Sequence, residues 1–419
     1  MGPPSKTQRK HAQAAADAFD AHFAHEYGAE RWGTLRQELA RPTEYAALVN
    51  AYAPAGEVDR SLLSAAPSDA YSLFRLPALH AAGASPPTRL LCLTPRARTD
   101  GALPFPAAHP ANADNAEARL HTHWSLDAAS VLAAHMLDVR PGNAVLDLCA
   151  APGGKSIVLA QRLWPERYAD RPAAAHAGAG ASVLHANEVD APRNKRLASN
   201  LRSYLPPSLF RSGNVEVLRI DGAAPRAAHM LPFGEEGYDR VLLDAPCSSE
   251  RHVIHAHVKA QQAGQVAPEM SAWKPNGSRS MAKLQLALLR NAWAAVKPGG
   301  QVLYATCSLS GAENDGVVSS FLERSTSDTP GVHAEIVWDA SDDPVLNATC
   351  ERTRYGRFAL PDRERSPWGP LYFCVLRKVE GDAPAPGSGE QAGDAAATTD
   401  KLRDLSVCLL YTSPSPREG

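Results

Sequence analysis

A doubly wound α/β fold on a Rossmann-like, mostly parallel sheet is what this sequence predicts, and three observations predict it. Buried-strand patterns recur at AVLDLC, SVLHANEV, VEVLRID, DRVLLDAP and QVLYATC. Helical patterns, GKSIVLAQRLW, APRNKRLASNLRSYL and MAKLQLALLRNAWAAV, lie between them. The first strand also runs straight into a small-residue turn and a helix start. Apolar strands alternating with helices indicate a parallel sheet covered on both faces. Two later strands, AEIVWD and LYFCVLRK, complete a seven-stranded sheet.

Ahead of this core lies a smaller helical and mixed region. From Asp17 to Ala53, Phe19, Phe23, Tyr27, Leu35, Leu39, Leu48 and Tyr52 recur at helical spacing, which predicts two or three amphipathic helices. From Pro54 to Asn115, Pro, Ala and short apolar runs alternate, TRLLCLTPRART among them. The helix SLDAASVLAAHMLDV and the turn Pro141-Gly142 then lead into the first core strand. An Ala/Gly-rich insertion runs from Pro165 to Ser182. Gly381 to Asp400 holds no aromatic or large aliphatic residue and is expected to be disordered. The closing CLLYTSPSPREG has no evident link to the rest and reads as non-native.

Composition narrows the function classes. A formal net charge of -2 gives no global signature of nucleic-acid binding, so any such contact must come from a local patch. The seven cysteines are scattered and never spaced as CxxC, which argues against a disulfide framework and a structural zinc site. No apolar run approaches the roughly 18 residues of a membrane span. The first sixteen residues carry Lys6, Arg9 and Lys10 with no acid, compatible with a targeting segment or a solvated basic end.

The turn after the first strand, Cys149-Ala150-Ala151-Pro152-Gly153-Gly154-Lys155, is neither GxxxxGK[ST] nor GxGxxG, which disfavours nucleoside triphosphates and NAD. Its glycines allow close backbone approach, and the helix start beyond them favours an anionic group. Glu188 ends the second strand, where a carboxylate can accept from ribose hydroxyls. Asp221-Gly222 ends the third. Acids at successive strand ends point to an adenosine-containing cofactor.

Two thiols sit at comparable places. Cys247 in LLDAPCSSER and Cys307 in YATCSLS end the fourth and fifth strands, neighbours in a 3-2-1-4-5 sheet. With strands about 4.8 Å apart, the sulfurs are expected within roughly 10 Å of each other. A buried cysteine is ordinarily a small hydrophobe, a reading that suits Cys374 inside YFCVL better than either of these.

DLCAAPGGK, DAPCS and ATCSLS followed by Glu313-Asn314 resemble the signature blocks of the NSUN (Sun-domain) RNA cytosine-5 methyltransferases, over roughly Ala47 to Val379. ALVNAYA and WGPLYFC are most similar to the mitochondrial ribosomal-RNA branch. The resemblance implies a class I methyltransferase domain at 123–379, a targeting or disordered segment at 1–16, an RNA-contacting accessory region at 17–122 and a disordered tail at 380–419. It implies S-adenosylmethionine against Cys149 to Lys155, Glu188, Arg193, Asp221, Gly222 and Asp244, with Glu188 where the family more often has Asp. It also implies Cys307 as the nucleophile adding to the cytosine ring, Cys247 in release of the RNA adduct, Asp244 on the cytosine's polar edge, and Lys155 shared between cofactor loop and target pocket. No metal and no membrane contact are implied. Mitochondrial relatives allow a helical-repeat protein partner, and small-subunit ribosomal RNA is the implied substrate, with transfer RNA as the alternative.

Two other readings stand beside this one. A DNA cytosine-5 methyltransferase would use the Pro-Cys thiol, Cys247, but would have no use for Cys307. A non-catalytic RNA-binding assembly factor would not need both thiols and an intact loop. Arg89, Arg96, Arg98, Arg251 and His252 are the basic residues expected to meet RNA.

Overall fold

The computed structural model describes residues 4–381 apart from 64–69, 80–89, 100–103, 112–118, 166–167, 170–181, 234–235, 329–330, 338–342 and 364–365. It opens with helices α1 (Lys6–Tyr27) and α2 (Ala29–Ala40). From Lys6 onward, the stretch expected as a disordered or targeting segment over 1–16 is helical. Ser5 and Gln8 form a reciprocal capping box, and Ala12 and Ala16 are buried although the stretch is otherwise polar. Most of the expected insertion, the whole of the tail beyond Gly381, and Arg89 lie outside the described residues.

The aromatic stripe of the two helices does not build an independent region. Phe23 stacks on Trp32 with ring centroids 5.2 Å apart, and Phe19 meets Trp273 edge-on at 5.0 Å. Each buried ring contributes roughly 1.5–3 kcal/mol, and this cluster joins α1 and α2 to the apolar layer beneath the main sheet. Tyr27 donates to the Leu309 carbonyl at 2.6 Å, which ties α1 to the loop carrying Cys307. These helices, expected within an accessory region over 17–122, pack on the apolar layer of the main sheet.

Leu48 continues the helical spacing in sequence but lies in a strand, β1 (Ala46–Val49), buried along its whole length. Pro42 stops the helical run, since proline lacks the N–H a helix needs. After the short helix α3 (Ala55–Val58) come β2 (Tyr71–Leu73), β3 (Cys92–Pro95) and β4 (His123–Leu126), forming an antiparallel sheet in the order β2-β3-β1-β4. A boundary at residue 123 thus cuts this sheet, whose last strand lies on the catalytic side.

The main sheet follows the sequence more closely. In chain order come α4 (Ala128–Met136), β5 (Ala144–Asp147), α5 (Gly154–Leu163), β6 (Val183–Asn187), α6 (Ala191–Tyr204), α7 (Pro207–Arg211), β7 (Val215–Leu218) and β8 (Tyr238–Asp244). Then follow α8 (Glu250–Gln262), α9 (Pro268–Ala272), α10 (Gly277–Ala295), β9 (Val296–Thr306), α11 (Asp315–Asp328), β10 (Val332–Ile336), α12 (Pro344–Thr349), β11 (Glu351–Arg352), β12 (Arg357–Ala359) and β13 (Leu371–Glu380). The order is β7-β6-β5-β8-β9-β13, parallel from β7 to β9, with β13 antiparallel to β9 and β10 paired to β13. The sheet has nine strands where seven are expected, because β11 and β12 add a small hairpin on β13.

Residues of α4, α5 and α6 cover one face of the sheet, and residues of α1, α2, α8, α10 and α11 the other. Strand order reverses at β5, so the loops after β5 and β8 diverge and leave a crevice at the carboxyl edge. Among the described residues, no helix is long and apolar enough to cross a membrane, and no cluster of side chains could hold a metal ion.

Candidate active site

Register places the thiols. Asp244 of β8 lies opposite Ala305 of β9, so the chain leaves both strands at one level, with Cys247 and Cys307 just beyond. Their sulfurs are 3.0 Å apart and unbonded; both side chains are half-buried. Ser249 Oγ stands 3.0 Å from Cys307 Sγ and 3.7 Å from Cys247 Sγ, closing a triangle. Ser249 holds φ 49° and ψ 55°, a left-handed conformation that costs a non-glycine residue about 1–2 kcal/mol.

The triangle separates the two thiols chemically. Hydrogen bonding from Cys247, reinforced by Ser249 and by the nearby Lys155 ammonium, draws the Cys307 thiol below its ordinary value against the opposing effects of burial and Asp244. The same contact with Cys307, then burial, pushes Cys247 well above its own. The arrangement favours a thiolate at Cys307 beside a thiol at Cys247.

Lys155, from the first turn of α5, donates to Asp244 Oδ2 at 2.7 Å. Burial opposes its charge, but the Asp244 carboxylate outweighs that and holds the ammonium above its usual range. Glycine loop, β8 and thiols therefore share one electrostatic centre.

Two buried carboxylates hold the thiol loops from behind. Glu313 accepts from the Ser248 amide at 3.1 Å, from the Ser248 hydroxyl, and from Gln285 Nε2 at 2.8 Å; Gln285 also donates to the Pro246 carbonyl at 2.9 Å. Glu250 accepts from the Leu309 amide at 2.9 Å and Ser308 Oγ at 3.2 Å. Burial, and then the Glu313 charge, raise the Glu250 carboxyl to about 8. Asn314 takes the Thr306 hydroxyl on Oδ1 at 2.5 Å and donates to the Ser308 carbonyl at 3.0 Å, closing the Cys307 loop.

The glycine loop departs in one respect from its sequence reading. Gly153, at φ 118°, holds a backbone conformation that suits glycine. Gly154 has a different reason: a Cβ there would lie 2.7 Å from Trp124 Nε1, so packing against Trp124 requires it and not ligand approach. Ala150 N donates to Asn187 at 2.8 Å, Arg193 Nη2 to the Ala151 carbonyl at 3.1 Å, and Asn200 Nδ2 to the Pro152 carbonyl at 2.8 Å. Cys149 is half-buried, and burial raises its thiol far above the usual range, so it stays neutral.

Around this loop the residues fit an adenosine-containing cofactor with an anionic end. The α5 N-terminus has no side-chain cap, leaving first-turn amides for a carboxylate. Beneath the loop, Asp147 accepts from Ser156 Oγ at 2.6 Å, but its other oxygen, Oδ1, is buried without a partner. The buried Glu188 ends β6 and pairs with Arg193 at 3.4 Å. Asp221 is exposed beyond β7, with Oδ1 taken by the Ala223 amide at 3.0 Å, and Gly222 is buried against Leu148.

The expected basic residues divide. Arg251 is held by the backbone: it donates to the Gly369 carbonyl and, at 3.4 Å, to that of Arg41, so it is a strut between α8 and two loops and not a free RNA contact. His252 stands beside it, half-buried. Arg96 and Arg98 line a groove on the four-stranded sheet. Sequence reasoning missed Ser249, Glu250, Gln285 and Asp147. Of these only Ser249 carried a local signal, as a hydroxyl two residues beyond Cys247.

Comparisons with known proteins bear on this geometry. The family described as "16S rRNA methyltransferase RsmB/F" matches residues 134–335. The chain is 30% identical over 379 residues to a mouse protein named "tRNA (cytosine(34)-C(5))-methyltransferase, mitochondrial", covering 89% of this chain and 92% of that one. It is 31% identical over 328 residues to the bovine "5-cytosine rRNA methyltransferase NSUN4", covering 74% of each. In three dimensions it is similar to the crystal structure of NSun6 from Pyrococcus horikoshii, with TM-score 0.54 and 16% identity over 87% of this chain and 98% of that one. A methyltransferase homologue from the same organism gives TM-score 0.51 and 21% identity over 90% and 100%.

Proposed function

Because the chain belongs to the NSUN family of S-adenosylmethionine-dependent RNA cytosine-5 methyltransferases, we propose that Cys307 is its nucleophile and Cys247 its release residue. The observation that carries this reading is the thiol pair, 3.0 Å apart at the ends of β8 and β9, with the Lys155–Asp244 pair beside it.

Carbon 5 of cytosine is a poor nucleophile. The Cys307 thiolate adds to carbon 6, forming a sulfur–carbon bond and making carbon 5 enamine-like. Asp244 holds the cytosine's polar edge and favours the protonated ring nitrogen that such addition requires, and Lys155 fixes Asp244 through its ammonium. S-adenosylmethionine, when bound, supplies an electrophilic methyl group. Its carboxylate is assigned to the uncapped start of α5 and the main chain from Cys149 to Gly154, its ribose to Glu188 braced by Arg193, and its adenine to Asp221 and Gly222. Once carbon 5 is methylated, a solvent base takes its remaining proton, the C5–H electrons restore the ring double bond, and the bond to Cys307 breaks with its electron pair returning to the sulfur. Cys247, the protonated neighbour, assists this elimination. Ser249 positions and stabilises the Cys307 thiolate.

The Cys307 geometry weighs against the DNA methyltransferase reading, which leaves that thiol idle, and the complete site weighs against a purely scaffolding role. The substrate is proposed to be a cytosine in ribosomal RNA, supported by the relative named as an rRNA methyltransferase. The mouse relative named for transfer RNA, of which the chain covers 92%, favours transfer RNA as the second reading. That relative's printed name also supports a mitochondrial site of action. The helical-repeat partner rests on the resemblance alone. Bisulfite sequencing of ribosomal and transfer RNA, with and without the active protein, tests the substrate. Loss of one ribosomal cytosine mark supports the first reading, loss confined to a transfer RNA supports the second, and loss in neither rejects both.

A further inference from the structure

A groove of about 840 Å³ lies outside the catalytic centre, between the β2–β3 edge of the antiparallel sheet and α12, with Ser366 to Trp368 along one side. We propose that it holds the phosphate backbone of the substrate RNA beside the modified cytosine. The inference rests on the RNA methyltransferase reading above and adds to it a route for the strand.

Charge is the first argument. Among the described residues, Arg75, Arg96 and Arg98 line the groove against the single carboxylate of Glu44. Glu44 is buried and already accepts from the Thr99 amide at 3.2 Å and the Thr99 hydroxyl at 3.0 Å. Arg98 pairs with Glu38 outside the groove. Arg75 and Arg96 are exposed, and among the described residues neither has a carboxylate partner; Arg96 Nε rests on the Tyr71 carbonyl at 3.2 Å, which aims its guanidinium. On a chain whose formal net charge is -2, this local excess is what a polyanion would meet.

Lining chemistry is the second argument. Ser72 and Thr94 line the groove with hydroxyls hydrogen-bonded to each other at 3.0 Å, a polar lining suited to ribose and phosphate oxygens. Arg75 and Arg96 stand on exposed positions along the groove, as contacts to successive phosphates of a strand require.

Connection to the catalytic centre is the third. Trp368 lines the groove, and the next residue, Gly369, donates its amide to Asp127 at 2.9 Å and accepts from Arg251. Arg251 lies in the first turn of α8, two residues beyond Ser249 of the thiol triangle. The groove is thus tied, through Gly369 and Arg251, to the loop after β8 that carries Cys247 and Ser249.

The test is fluorescence anisotropy with a hairpin transcript carrying one unpaired cytosine, comparing the full chain with its Arg75→Ala/Arg96→Ala variant between about 50 and 200 mM salt. Loss of two phosphate contacts is expected to weaken binding about tenfold and to lower the slope of log affinity against log salt by about two. S-adenosylmethionine affinity should stay unchanged, and Arg75→Lys/Arg96→Lys should retain most of the binding. If the wild-type chain binds the hairpin and the alanine variant matches it in affinity and slope, the groove is not the RNA track, whatever becomes of the enzymatic reading. A wild-type chain that neither binds nor methylates RNA would instead sink the functional reading and this inference with it.

Discussion

Glu250 links stability to pH at the back of the thiol site, and Glu250→Gln exposes that link. The carboxyl is fully buried, accepts from Leu309 N and Ser308 Oγ, and faces the Glu313 carboxylate; burial first and Glu313 second lift it from 4.5 to about 8. Cys307 lies close enough to act in the same direction. Between those two values the folded chain keeps a proton that the unfolded chain releases. Rising pH therefore favours unfolding, by up to about 1.4 kcal/mol per pH unit for one such proton. The contribution is complete below pH 4.5, has fallen by about 3 kcal/mol at pH 7 and is lost above about pH 8. Glutamine cannot ionise, yet its carbonyl can take the Leu309 N–H and its amide can face Ser308 Oγ, so the variant should fold. Urea unfolding across this range should give a wild-type curve that falls more steeply with pH than the variant's. Asp147, raised to about 7 by burial against the opposing Ser156 hydrogen bond, titrates in both proteins and cancels in the difference. Parallel stability–pH curves would refute the assignment.

Further outcomes follow from the same site. Ser249→Gly removes a left-handed strain of about 1 kcal/mol and a hydrogen bond that helps lower the Cys307 thiol, so the variant should be slightly more stable while the midpoint of its kcat/KM–pH profile rises. An unmoved midpoint would leave Ser249 a purely structural residue. Gly153→Ala forces a side chain into φ 118° with its Cβ 3.3 Å from Leu197 Cδ1; thermal denaturation should show a loss of about 1–3 kcal/mol, and calorimetry a weaker affinity for S-adenosylmethionine. Lys155→Gln removes the cation beside Asp244 and Cys307, so the pH–rate midpoint should rise while anisotropy reports unchanged RNA affinity.

The sequence was most legible where one local pattern serves one structural purpose. Apolar runs such as VLLD and QVLYAT are buried on both faces in the parallel sheet, and the strand-to-strand order followed from that pattern. Ambiguity entered where spacing fits two periods. Leu48 and Tyr52 continue a helical series, but Pro42 and the partners β3 and β4 make a strand of Ala46–Val49. Lys6–Ala16 looked unstructured because only Ala12 and Ala16 are buried in it. The thiols were legible as strand ends, since register alone brings them together. Glu250 and Gln285 were not: they act on Leu309 and Glu313, 59 and 28 residues away, and no local spacing reports contacts that depend on how helices close over a sheet.

The central claim is tested most directly on a denaturing gel, with the protein, S-adenosylmethionine and methylatable RNA mixed and then stripped of non-covalent contacts. Cys247→Ala should accumulate a slow-migrating protein–RNA adduct, because the ring is attacked but not let go, and Cys307→Ala should give none. An adduct in Cys307→Ala that is absent from Cys247→Ala would reverse the roles of the two sulfurs and contradict the account.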